Sequence, residues 1–239
     1  MKILEQLEAI HQIVRRDPAN LDLKTRRQFW RIVSQIKRME SPDTAVIAEA
    51  SKIRDLLYKE RLGRSIPLNW LFLWFLCGVS AVYYYLWLLL IEERATGSLV
   101  GDYDLGALVA GAVFFLYPFG RLIAGSLMGI RFDGISRDIY YLPTLKINYP
   151  TYLQAPPPNR LWFFFLAGFW TAFIMICIGI AGYLLGGEWT AIALGLFLAF
   201  LEILAAIFGG KWGGELGHFH RELRIVREWK QNLTSSKKL

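Results

Sequence analysis

Four long apolar stretches, at about residues 68–91, 105–127, 161–185 and 189–209, govern what this chain can fold into. A helix that crosses a bilayer needs roughly 20 mainly apolar residues, and each stretch meets that length. With 54% of its 239 residues hydrophobic, the composition is that of a membrane protein. The expected fold is mainly α and polytopic. It has four transmembrane helices in a membrane core over 65–210, an N-terminal cytoplasmic helical domain over 1–64, and a basic amphipathic cytoplasmic tail over 211–239. Residues 1–64 hold no apolar block suited to a cleaved signal peptide, so the first span is expected to direct insertion. Cys77 and Cys177 both fall within spans, where they act as small apolar residues rather than as a disulfide framework.

Charge supplies the orientation, because Lys and Arg near span ends are retained on the cytoplasmic side. Residues 1–64 carry 14 basic residues against 9 acidic ones, while segment 92–104 carries Arg94 alone against four acids. Segment 128–160 carries Arg131, Arg137, Lys146 and Arg160; Gly186-Gly187-Glu188 carries no basic residue. The alternation puts both termini and the middle loop in the cytoplasm. The net charge of +7 then reflects topology and anionic lipid rather than nucleic acid, for which no motif is present.

The N-terminal segment shows helical periodicity. Ile3, Leu4, Leu7, Ile10 and Val14 share one face, as do Phe29, Val33 and Ile36, and later Val46, Ile47, Ala50, Ile53 and Leu57. Asp17-Pro18 and Ser41-Pro42 each set a capping residue before a first-turn proline and read as helix starts. Two or three helices are expected, as a solvated support for the first span or as a docking surface for a partner. Segment 128–160 differs in kind. "IRFDGI", "DIYYL" and "LKINYPTYL" are β-branched and aromatic runs that predict a small sheet, ended by "APPPNR" at 155–160. Small residues such as Gly106/Ala110 and Gly195/Ala199 invite close helix packing. Aromatic triplets such as Tyr83–Tyr85 and Phe163–Phe165 read as mostly lipid-facing or interfacial packing.

Two ionisable residues interrupt the spans, Arg121 and Glu202. A charge near the bilayer centre costs about 2.5–3.5 kcal/mol on the insertion scale, so both should face protein or water. Arg121 precedes the cytoplasmic end of its span by six residues and Glu202 precedes its own by seven, so both lie roughly 10 Å deep on the same side. This depth match predicts a buried Arg121–Glu202 ion pair. The alternative is a snorkelling Arg121 whose head reaches water. Pro118 frees the carbonyl of Phe114 and is expected to kink the helix, and Tyr117 shares a face with Arg121.

The stretch "YPFGRLIAGSLMGIRFDGI" resembles the membrane helix of site-2-protease-type intramembrane zinc metalloproteases. There His-Glu-x-Gly-His is followed by a small-residue helix end, a "GI" exit and a β-hairpin loop. The resemblance sets Tyr117 at the first His, Pro118 at the Glu, Gly120 at the Gly and Arg121 at the second His. "APPPNRLWFFFLAGFWTA" is similar to the family's proline- and arginine-bearing lead into a helix with Ala-Gly-Pro, here Ala167-Gly168-Phe169. Glu202 lies in the span comparable to the one that supplies the family's third ligand, an aspartate, although Ile203 replaces the Gly that follows it there. The resemblance covers about residues 105–210 and implies a degenerate member. Hydrolytic zinc needs imidazoles, a carboxylate, an open position for water and a general base, and Tyr117, Pro118 and Arg121 supply none of these. Arg121 would place a fixed cation where the metal binds, leaving Glu202 as its counter-ion.

Metal chemistry elsewhere would have to draw on "GGELGHFHRE", where Glu215, His218 and Glu222 fall three or four apart and His220 lies on another face. No phosphate loop, nucleophile elbow or cysteine-pair metal spacing occurs. The expectation is a catalytically inactive pseudoprotease without cofactor. It would act as a binding or assembly scaffold in the lipid bilayer for a transmembrane partner or a multisubunit complex. The alternatives are a structural accessory subunit of a larger membrane complex and an active intramembrane zinc protease.

Overall fold

A computed structural model describes residues 2–62, 65–71, 73–74, 77–78, 118–137, 143–186, 189–208 and 214–236. The N-terminal segment folds as three helices, α1 (Lys2–Arg16), α2 (Leu23–Ile36) and α3 (Thr44–Leu62). Their apolar faces meet as the periodicity predicts, since Leu7, Val14, Phe29, Ile36, Ala50 and Ile53 are all fully buried. Each large apolar side chain so buried contributes about 1.5–3 kcal/mol. The helix starts fall later than the Asp-Pro and Ser-Pro pairs suggest. Asp22 caps α2, accepting from the Thr25 amide at 2.6 Å, and Asp43 accepts from the Ala45 amide at 2.8 Å. Asp17 instead closes a turn by accepting from the Asn20 amide at 3.1 Å. A helix begins where a carboxylate reaches the free amides of its first turn, and that geometry overrides the proline signal.

Residues 118–128 form α4, which stops at Gly129. Gly129 adopts φ +74°, and the Ile130 amide reaches back to the Gly125 carbonyl at 2.8 Å, closing the helix with a left-handed cap that favours glycine. Strands β1 (Phe132–Arg137) and β2 (Pro143–Ile147) then pair antiparallel, with an irregularity between Phe132 and Gly134. Ile66, ahead of the first apolar stretch, exchanges two 2.7 Å hydrogen bonds with Ile135 and extends the pairing. Gly134 permits this approach, because a methyl group there would overlap the Ile66 carbonyl oxygen.

Part of the β expectation is corrected. Residues after Ile147 turn into a short helix, α5 (Tyr149–Gln154), rather than continuing a strand. Asn148 caps it by accepting from the Thr151 amide at 3.2 Å, and Pro150 fits the first turn. Cap and proline together outweigh the β-propensity of two tyrosines. "DIYYL" lies outside the described residues. Helix α6 (Pro157–Gly186) opens directly on the proline run, α7 (Trp189–Phe208) returns along it, and α8 (Gly214–Ser236) packs against α6. At the α6–α7 crossing a methyl on Gly195 would lie 2.7 Å from the Met175 carbonyl oxygen and 2.9 Å from the Gly179 Cα. Small residues therefore set the helix separation, and Ala199 is buried one turn further on. Gly106/Ala110 lies outside the described residues.

The four-span architecture is corrected as well. Among the described residues one helical stretch, Pro157–Cys177 in α6, is long and apolar enough to cross a membrane, and 41% of its most apolar window is buried inside the protein. Apolar length alone does not separate a span from a helix buried against its neighbours, and α6 packs on both α7 and α8. The stretches at 68–91 and 105–127 lie largely outside the described residues. Phe163 and Phe164 are also core residues rather than lipid-facing ones, while Phe165 is exposed. One apolar core runs from α1 through Tyr149, Tyr152 and Leu153 to Phe163, Phe164 and Ala167, so the N-terminal helices share their core with α5 and the start of α6.

Candidate functional site

The polar centre of the molecule lies where α2 ends, α5 passes and α6 and α8 meet. Glu222 of α8 is 1% exposed in an otherwise basic amphipathic helix, and Arg160 in the first turn of α6 is equally buried. The Arg160 Nε donates to Glu222 Oε2 at 3.0 Å. The other Glu222 oxygen accepts from Lys37 Nζ at 2.6 Å and from the Tyr152 hydroxyl at 2.7 Å. Lys37 also donates to the Tyr152 hydroxyl at 2.7 Å, so the phenol accepts from the ammonium and donates to the carboxylate.

Two cations facing one carboxylate leave a surplus positive charge, and Arg160 directs it at helix ends. Its Nη1 donates to the Ala155 carbonyl at the end of α5 and its Nη2 to the Lys37 carbonyl at the end of α2, each at 2.5 Å. Carbonyls at a helix C-terminus lack intrahelical donors and carry partial negative charge, so the guanidinium satisfies both at once. Burial alone raises the Glu222 carboxyl, but Lys37 and then Arg160 outweigh it and hold its pKa at about 2. Burial, reinforced by Glu222, pushes the Tyr152 phenol well up and keeps it a donor. Burial draws the Lys37 ammonium down against the pull of Glu222.

The motif positions take no part in this cluster among the described residues. Tyr117 lies outside the described residues, as does Phe114, whose freed carbonyl carried the expected kink. Pro118 and Gly120 are buried in α4, and a methyl group on Gly120 would overlap the Trp170 ring of α6. Arg121 turns toward β2, where Nη1 donates to the Thr144 hydroxyl and to the Leu145 carbonyl at 3.4 Å. Glu202 stands on α7, with its side chain outside the described residues. Proline and glycine side chains offer no metal ligand, and a guanidinium, always charged, repels a divalent cation. These residues do not fit the zinc that the resemblance implies.

Among the described residues the tail histidines are engaged in packing and hydrogen bonding. His218 stacks on Phe164 with ring centroids 4.8 Å apart, and its Nδ1 lies 2.9 Å from Arg221 Nη2, the relation of an acceptor to a donor. The residue as a whole is exposed, while its ring packs on Phe164. Burial first, then the charges of Arg221, Lys37 and Arg121, pushes its pKa down and keeps it neutral. Glu222 is committed to Lys37 and Arg160, and the side chain of Glu215 lies outside the described residues. Among the described residues no three His, Cys, Asp or Glu side chains converge on a metal position.

The Lys37–Tyr152–Arg160–Glu222 cluster escapes sequence reasoning because its members are separated by up to 185 residues. One signal was present: Glu222 is flanked on α8 by Ile225 and Val226, which share its buried face. A carboxylate on an apolar face requires a buried cation. The chain matches no family model, no curated protein and no solved structure in comparisons with known proteins.

Proposed function

We propose that this chain is a membrane-seated, non-proteolytic scaffold of site-2-protease-like design, which binds or assembles membrane partners rather than cleaving them. The observation that supports it is the placement of Arg121. At the position where the resemblance implies a metal-binding histidine, a guanidinium is tied to Thr144 and Leu145 of β2, so a fixed internal cation supplies the link between helix and hairpin. Helix α4, the Gly129 turn and the β1–β2 hairpin also follow one another in the order the resemblance implies.

The membrane part of the proposal draws on the surface of the α6–α7 hairpin. Trp162, Phe169, Phe173 and Leu184 on α6, and Phe197 and Phe200 on α7, are all exposed. An apolar surface of that extent is stable in contact with lipid or with another protein, not with water. In this proposal the hairpin lies in the bilayer and both termini, with the β-hairpin, lie on the cytoplasmic side.

Two measurements on the full chain test it. Carbonate washing should leave the protein in the membrane fraction, and metal analysis after detergent purification should find zinc far below one per chain. Stoichiometric zinc with peptide-bond cleavage of a transmembrane substrate would overturn the scaffold reading, and release by carbonate would overturn the membrane one. A photocrosslinker replacing Phe173 distinguishes the roles: stable co-purifying subunits indicate an accessory component, whereas transient single-span clients indicate a substrate-binding pseudoenzyme.

A further inference from the structure

An open cleft of about 620 Å³ lies between α1, α3, β2 and the segment that follows α3. Its charged lining consists of Lys52, Lys59 and Lys146 against Asp55, with the Tyr58 and Ser65 hydroxyls beside them. Asp55 is already engaged by Lys146 at 3.0 Å and by Arg54 at 3.1 Å. Lys52 leans on Glu49 at 3.0 Å but remains 62% exposed. Lys59 is exposed and makes no ion pair among the described residues. The carboxylate is thus neutralised from within, and the lining carries an excess of cations over anions.

The cleft is built on a fixed frame. The Tyr58 hydroxyl donates to Ser136 on β1, and its ring lies under Arg54 and Lys146, whose cationic centres stand 4.8 and 5.2 Å from its centroid. Ser65 is held at the rim because the next residue, Ile66, is paired on both sides with Ile135. Arg54 reaches the Ile147 carbonyl at 3.3 Å, tying α3 to the end of β2. Cationic groups held apart by such a frame form a site for a compact multivalent anion.

We propose that this cleft binds a phosphate ester, with Lys59, which makes no ion pair among the described residues, as the principal cation, Lys52 and Lys146 in support, and the Ser65 hydroxyl as a neutral donor. The phosphate belongs either to a lipid headgroup or to a soluble molecule. The surface favours the former, because Ile66, Trp70 and Leu73, within eight residues after Ser65, are each about half exposed and apolar. A basic cleft bordered by apolar and aromatic side chains matches the boundary between headgroup and acyl chain. The proposal stands independently of the lost protease chemistry.

Titration of the full chain in neutral detergent with short-chain phosphatidic acid, with inorganic phosphate, and with short-chain phosphatidylcholine tests it. Phosphatidic acid should bind with saturation and phosphatidylcholine should not. Lys59→Gln should weaken binding at least fivefold without lowering the melting temperature, and Lys59→Arg should retain it. Tighter binding of phosphatidic acid than of inorganic phosphate assigns a lipid headgroup, and equal binding assigns a soluble phosphate. Equal binding of phosphatidylcholine, no binding of either anion, or binding indifferent to Lys59→Gln overturns the proposal.

Discussion

Arg160 and Glu222, 62 residues apart in sequence, face each other at 3.0 Å with side chains 2% and 1% exposed. Removing two charges from water is unfavourable, so such a pair is stable only when every remaining donor and acceptor finds a partner. Here the carboxylate accepts three hydrogen bonds and the guanidinium terminates two helices.

Breaking this arrangement from one side should be severe. Glu222→Gln leaves Arg160 buried without a counter-ion and is expected to destabilise the fold by about 3–5 kcal/mol. Lys37→Met should cost less than Arg160→Met, because the Lys37 side chain is 16% exposed and makes two hydrogen bonds, to Glu222 and Tyr152, whereas Arg160 makes three and ends two helices. Tyr152→Phe removes a hydroxyl that both accepts and donates, at about 1–3 kcal/mol. Chemical unfolding followed by tryptophan fluorescence gives all four values, and an unchanged midpoint for Glu222→Gln would show that the pair has no structural role.

The same carboxylate should make stability depend on acid. Its folded pKa of about 2 lies below the ordinary 4.5, so the folded state releases this proton more readily than the unfolded chain. The contribution is complete above pH 4.5 and is lost as pH falls from there toward 2, amounting to on the order of 3 kcal/mol. Wild type should lose stability across that window more steeply than Glu222→Gln. Parallel pH profiles for the two proteins would remove Glu222 as the source.

Glycine positions separate two kinds of backbone cost. At Gly195 an added methyl meets the backbone of α6, at Met175 and Gly179, which cannot rotate away. Gly195→Ala should force α6 and α7 apart and cost about 1–3 kcal/mol, and Gly195→Val more. At Gly129 nothing lies within 4 Å of an added methyl, so Gly129→Ala should cost only the left-handed backbone penalty of about 1–2 kcal/mol. Melting temperatures of the three variants test the ranking. An unchanged melting temperature for Gly195→Ala would show that the α6–α7 crossing tolerates a methyl.

How much was legible in the sequence follows from the range over which each feature is determined. Leu7, Ile10 and Val14 lie on one helix face because of local geometry, and they are buried together. The β1 strand was readable from a short β-branched and aromatic run that Gly134 interrupts. Residues 149–154 were misread because the helix there rests on one cap, Asn148, set against strong β-propensity. Span counting failed for a related reason, since apolar length is a local quantity whereas burial against α7 and α8 depends on the whole fold. The Glu222 cluster was least accessible of all, since it exists only after α2, α5, α6 and α8 have converged.

Arg121 and Glu202 bear on the central proposal and can be tested without reference to activity. Arg121 already donates to Thr144 and Leu145, so Arg121→Met alone leaves a hydroxyl that is 7% exposed and a carbonyl with fewer donors. If Glu202 is also its counter-ion, Arg121→Met strands that carboxylate in an apolar helix, and Glu202→Leu strands the guanidinium. The double variant should then be less destabilised than the sum of the singles, with a coupling of about 1–3 kcal/mol in detergent-solubilised protein. A coupling within about 0.5 kcal/mol of zero would mean that Arg121 serves the β-hairpin alone. In that case the cation would be a clamp between α4 and β2, and the link to α7 that a rewired metal site requires would be absent.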